Sequence, residues 1–253
     1  GFVVYLENDV FHATFKNTTA IHTLVGFVLS MLLVFRTNTA YERWWEGRKA
    51  WGSFVNNSRN LALKLSVLNT SDTEKAVISD LISNYIYAVK EHLRGRIVAN
   101  ELTHNRAYPS EYYQNILHLP NRIMKGIYQE INKLHIGGKI NDSQLLYLNE
   151  ELKSFTDNLG ICERIKRTPI PYSYSLYLKK IIFIYVFSMP IGFAREFGYW
   201  SMPIVALIFY VFGSIELLAE EIEDPFGSDA NDLPTDQIYE TIKANLDEIF
   251  FDK

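Results

Sequence analysis

The residues best placed to do chemistry stand near the C-terminus, in the stretch ELLAEEIEDPFG. Glu216, Glu220 and Glu223 are spaced i, i+4 and i+7, so a helix presents all three on one face, with Glu221 and Asp224 close by. Such a face can bind a metal. A di-metal carboxylate bundle, however, pairs its glutamates with Glu-x-x-His motifs on two facing helices, and the six histidines do not supply that pair. The face is therefore expected to act structurally or electrostatically, with metal ligation the lesser alternative, and no metal or other cofactor is assigned. A Gly-rich phosphate loop, a nucleophile elbow and a Cys/His zinc spacing are all absent from the sequence, so no enzyme is expected. The single cysteine, Cys162, cannot form a disulfide within the chain and reads as a small buried hydrophobe. His22 lies inside an apolar run, where a histidine is expected to be simply hydrogen-bonded.

The elements that position these groups emerge from local hydropathy. With 253 residues, 48% of them hydrophobic, and a net charge of −4, the averages suit a soluble domain and give no basic surface for nucleic acid. Segregation along the chain says more. Residues 20–35 carry no Asp, Glu, Lys or Arg; as a helix they reach about 24 Å, near the roughly 30 Å of a bilayer core. A second run, residues 181–194, follows Lys179 and Lys180, and a third, residues 197–215, is uncharged and long enough to span. Gly198, Tyr199 and Trp200 between them suit an interfacial turn, so the two runs read as a transmembrane hairpin. Pro190 and Pro203 fall in these helices, where packed neighbours can satisfy the backbone groups they free. The competing reading is three buried helices of a large soluble fold.

Charge orients the spans. Arg36, Arg43, Arg48, Lys49, Arg59 and Lys64 follow the first run, and Arg164, Lys166, Arg167, Lys179 and Lys180 precede the second, whereas only Lys16 lies just before the first. Both basic flanks are expected in the cytoplasm. The opening GFVVYL reads as the end of a longer apolar helix, so most of a preceding span is expected to be missing, and no cleavable signal peptide is visible. Between residues 37 and 169, apolar residues recur at helical spacing, as in DTEKAVISDLISNYIYAVKEHLRG and DSQLLYLNEELKSFTDNLGICERI. The predicted fold class is all-α, part in lipid and part in cytosol.

Three blocks, FRTNTAYERWWEGRKAWG at residues 35–52, RIKRTPIPYSYS at 164–175 and IEDPFGSDANDLP at 222–234, together resemble the bestrophin family, specifically its bacterial branch. The resemblance implies a homopentameric channel for small monovalent ions in the bacterial inner (plasma) membrane. It also implies four transmembrane helices per subunit, cytoplasmic termini and a long central pore. The expected division is residues 1–36 for the end of the first span, an outer loop and the pore-lining second span. Residues 37–180 then form a helical cytosolic region, 181–219 the hairpin and 220–253 a cytosolic segment. Counted back from Arg43-Trp44-Trp45, the resemblance places a hydrophobic pore neck at Phe27, Met31 and Phe35, with Gly26 and Ser30 beside them allowing close helix approach. Five copies of that stripe make stacked apolar rings that gate by expelling water. A second, cytosolic constriction is assigned to Ile140 in GGKIND. In calcium-activated members an acidic clasp follows Pro-Phe-Gly; residues 228–232 read SDAND here, with carboxylates only at Asp229 and Asp232. Calcium takes roughly six to eight oxygens. Asp229, Asn231 and Asp232 are thus a remnant expected to cap helices or bridge subunits. The rival readings are a metal-binding membrane protein or membrane enzyme built on Glu216, Glu220 and Glu223, and a non-conducting membrane scaffold.

Overall fold

The structure is a computed structural model that describes residues 18–96 and 98–251. It consists of helices α1 (Thr18–Ser66), α2 (Asp72–Leu93), α3 (Leu119–Ile136), α4 (Asp142–Arg167), α5 (Tyr172–Phe197), α6 (Ser201–Glu223) and α7 (Thr235–Phe251). Single 3-10 turns occupy Ser110–Tyr113 and Gly198–Trp200, and no strand occurs among the described residues, as the all-α expectation required. The remnant of a first span expected at residues 1–6 lies outside the described residues. Among the described residues, three helical stretches are long and apolar enough to cross a membrane, within Ala20–Ser66, Tyr172–Ala194 and Gly198–Glu223.

Two compact units are present, and α1 contributes to both: one holds residues up to Trp44 with Pro169–Asp224, the other Trp45–Thr168 with the segment from Pro225 on. The sequence suggested a change of material at residue 37, yet α1 continues unbroken to Ser66. The reason is local. Thr37 and Thr39 return their hydroxyls to the carbonyls of Leu33 and Phe35, at 2.9 Å each, and no proline interrupts the run.

In the first unit, Leu29 and Leu33 of α1 pack against Leu178, Ile182, Tyr185 and Met189 of α5, and α6 adds Val205, Ile208, Phe212 and Ile215. These positions follow i, i+3, i+4 and i+7 spacing, which is what one helical face presents to a neighbour. The opposite faces stay bare, with Phe183, Ile184 and Phe187 on α5 and Leu207, Phe209 and Tyr210 on α6 all exposed. Only 11% of the most apolar window of α6 is buried, so the unit needs lipid or other protein around it. Helix α5 runs through Pro190, and the α5–α6 turn is made at Gly198 with φ +53° and ψ −131°, a conformation that side chains disfavour. Pro203 falls in the first turn of α6, where its missing N–H has no intrahelical partner to lose.

The second unit has a conventional core. Trp51, Phe54, Tyr85 and Phe155 are fully buried and meet at ring distances of 5.6–6.2 Å, with the Tyr85 hydroxyl donating to the Phe155 carbonyl at 3.0 Å. Reciprocal capping boxes start α2 (Ser71 with Glu74) and α4 (Asn141 with Gln144). Helix α7 is held to α2 by Asp236, which accepts from Lys90 at 2.6 Å and from Arg94 at 2.7 Å. Ile140, assigned by resemblance to a constriction, is only 3% exposed. Such burial places the side chain inside the second unit. In sequence it lies between the end of α3 and the start of α4.

Candidate functional site

The site is built on α1. Along one of its faces Leu29 and Leu33 are 1% and 2% exposed, whereas Phe27, Met31 and Phe35 on another face are 63%, 45% and 58% exposed. Ser30 and Val34 run beside the stripe and complete a shallow, almost wholly apolar groove. The described helices leave this stripe uncovered. Gly26 belongs to the covered side: a Cβ there would come within 2.5 Å of the Tyr185 hydroxyl, which donates to the His22 carbonyl at 3.2 Å. Close approach of α1 and α5 thus depends on a residue without a side chain. His22 itself lies 3.3 Å from the Ser188 hydroxyl and packs against the rings of Tyr185 and Phe193.

Directly after the stripe, at Arg36, the carboxylate face of α6 meets α1. Arg36 is 1% exposed; its Nη2 donates to Glu223 Oε2 at 2.7 Å, and its Nε lies 3.9 Å from Glu216 Oε2. The other Glu223 oxygen accepts from the Ile170 N–H at 2.6 Å, and the Glu223 carbonyl accepts from Arg43 Nε at 3.2 Å. Glu216 is buried and its oxygens have no protein hydrogen bond, so it acts on Arg36 by charge alone. Glu220, half-exposed, pairs with Lys179 of α5 at 2.8 Å. The helical spacing of the three glutamates is therefore real, and their use is ion pairing with α1 and α5. Arg36 is the member that sequence reasoning counted only as a flanking charge; its 187-residue separation from Glu223 leaves no local signal.

In the second unit, the Pro-Phe-Gly segment folds on itself. Phe226 is buried against Gly47, whose Cβ would meet the ring at 3.1 Å. Asp232 Oδ2 accepts from the Asp229 N–H at 2.7 Å, and the Leu233 N–H closes onto the Pro225 carbonyl at 3.0 Å. Asp229 and Asn231 are exposed. One of the remnant carboxylates is thus committed to the loop's own backbone.

Long apolar helices with bare outer faces, a buried ion pair joining two of them and a separate helical unit define a multi-span helical membrane protein. The sequence matches the family described as Bacterial/Fungal Bestrophin protein over residues 1–248, and the chain belongs to the bestrophin family. It is 41% identical over 231 residues to a voltage-dependent anion channel-forming protein of Nostoc, covering 88% of this chain and 75% of that one. It is 31% identical over 247 residues to the voltage-dependent anion channel-forming protein YneE of Escherichia coli, covering 96% and 81%. Among solved structures, a bacterial bestrophin homologue from Klebsiella pneumoniae superposes with a TM-score of 0.90 at 28% identity, over 98% of this chain and 93% of the other.

Proposed function

We propose that this chain is one subunit of an anion channel, with α1 lining a central pore and Phe27, Met31 and Phe35 forming its neck. The observation that carries the reading is the exposure of those three side chains on a span whose other face is committed to α5. One copy contributes one such face and cannot enclose a pathway, so closure requires a cyclic assembly, and family resemblance makes it a pentamer. Stacked apolar rings make water in the constriction unfavourable, and an ion crossing them sheds hydration without gaining ligands. The neck gates; it carries no charge with which to select. Anion preference is inferred from relatives named as anion channel-forming proteins. The basic flanks favour a cytoplasmic side of the inner membrane for Arg36 and residues 37–180, with 181–219 as the hairpin and 220–253 cytoplasmic.

The test is reconstitution of the pure protein into a planar bilayer under a potassium chloride gradient. A reversal potential close to that of chloride, together with a pentameric mass by light scattering in detergent, supports the proposal. A reversal potential at that of potassium overturns the anion assignment. A pentamer without current favours a membrane scaffold, and a stable monomer sinks the channel reading.

A further inference from the structure

Within the second unit, three metal-ligating side chains converge from three different helices. His92 lies in the last turn of α2, His118 caps the start of α3, and Glu163 stands on α4. The Nε2 atoms of His92 and His118 lie 2.7 Å and 2.9 Å from the same Glu163 oxygen, Oε1, and the two rings are 4.7 Å apart. These are the only three such groups that converge among the described residues, and each is partly buried, with side chains 21–27% exposed. We propose that His92, His118 and Glu163 form a binding site for a divalent transition metal of the zinc type, with water as a further ligand.

The geometry needs little change. Zinc takes imidazole nitrogen at about 2.0–2.1 Å and carboxylate oxygen at about 2.0–2.2 Å, so tetrahedral ligand atoms sit roughly 3.4 Å apart. The ligand atoms all lie within 4.8 Å of one another, and opening the observed 2.7 Å and 2.9 Å separations by about 0.5–0.7 Å, within side-chain rotation, admits the ion. A cavity of about 510 Å³, lined by His92 together with Tyr113, Asn115 and Leu119, gives access for the ion and for water. Two nitrogen donors disfavour calcium and magnesium, which prefer all-oxygen shells.

Two groups oppose the metal and both can yield. The Nδ1 of His118 accepts the Asn121 N–H at 3.2 Å, so its Nε2 carries the proton and donates to Glu163. Binding at Nε2 displaces that proton and places one on Nδ1, releasing the cap. Asn121 is exposed, so its N–H turns to water at far less cost than a zinc site returns. Arg167 approaches Glu163 Oε1 at 3.4 Å, but its side chain is 68% exposed and free to swing out. The ion would tie α2, α3 and α4 together, a structural staple.

The experiment uses the tag-free full chain in detergent, stripped of metal and titrated with zinc alone by calorimetry, with cobalt as a spectroscopic substitute. Expected are one zinc per subunit, a higher thermal midpoint with zinc, and cobalt d–d bands of tetrahedral nitrogen and oxygen coordination. Glu163→Gln and His92→Gln should each weaken zinc binding by roughly 100-fold or more, since even outer-shell changes cost 10- to 100-fold. Should either variant fail to fold, the cobalt spectrum of the unaltered chain decides alone. Absence of stoichiometric zinc, octahedral water-like cobalt bands, or undiminished binding in folded variants overturns the site. Binding is read without current, so the outcome is independent of the channel proposal.

Discussion

Replacing Arg36 by Met tests how the middle of α1 is held to α6. In the native chain Arg36 is 1% exposed, at 2.7 Å from Glu223 and 3.9 Å from Glu216. The Arg36→Met variant removes the cation and leaves two poorly solvated carboxylates facing each other. Breaking a buried ion pair from one side costs about 3–5 kcal/mol, because the surviving charge keeps its desolvation penalty. For a chain of this size that corresponds to a fall in thermal midpoint of roughly 6–20 °C at about 2–4 °C per kcal/mol. The assay is thermal melting followed by size exclusion on the detergent-solubilised protein. Two companions make it discriminating. Lys179→Ala breaks the half-exposed pair with Glu220, and such a pair is worth no more than about 1 kcal/mol. Adding Glu216→Gln and Glu223→Gln to Arg36→Met removes the stranded charges, while the amide oxygen introduced by the second change keeps an acceptor for the Ile170 N–H, and should recover most of the loss. If Arg36→Met melts no lower than Lys179→Ala, or if the triple variant melts below the single one, the desolvation argument is wrong.

Truncating Phe27, Met31 and Phe35 together to Ala should raise single-channel current severalfold while leaving assembly intact, because no core is emptied; Leu33→Ala, at a 2% exposed position, should instead cost about 2–5 kcal/mol and lower the yield. Unchanged current with normal assembly would remove the neck assignment. Gly26→Ala forces a Cβ to within 2.5 Å of the Tyr185 hydroxyl and should destabilise by about 1–3 kcal/mol, with Tyr185→Phe partly restoring the melting temperature; a melting curve for Gly26→Ala that overlays the native one contradicts this packing. Hydrogen bonds from Arg94 and Lys90 hold the Asp236 carboxyl well below its usual range. A depressed folded-state pKa gives stability that is present above about pH 4 and is lost as the pH falls further. Melting of the native protein should therefore decline more steeply below about pH 4 than that of Asp236→Asn. The difference should stay near 1 kcal/mol because Asp236 is largely exposed.

Most of the fold was legible because its signals are local. Apolar runs without charge mark the spans, and i, i+4, i+8 spacing puts Phe27, Met31 and Phe35 on one stripe whatever surrounds it. The Ser71 and Asn141 caps sit three residues before Glu74 and Gln144, a pattern visible in the chain. What stayed hidden depends on tertiary proximity. The partners of Glu163 are 71 and 45 residues away on other helices, and no fixed spacing announces them. Ile140 is assigned by its place in a motif, and its burial is a property of the folded unit that no local spacing announces. The unbroken passage of α1 beyond Phe35 was obscured because polar residues there look like a boundary, although Thr37 and Thr39 bond back into the helix.

The lone cysteine has a practical consequence. Cys162 is fully buried on α4, and burial pushes its thiol up to about 12, so almost no thiolate exists at the near-neutral pH used for maleimide coupling. The unaltered chain is accordingly a silent background for site-directed labelling. A reporter cysteine placed at Phe27, Met31 or Phe35 can be probed with thiol reagents or paired spin labels without first engineering out a native one, and any signal comes from the position chosen.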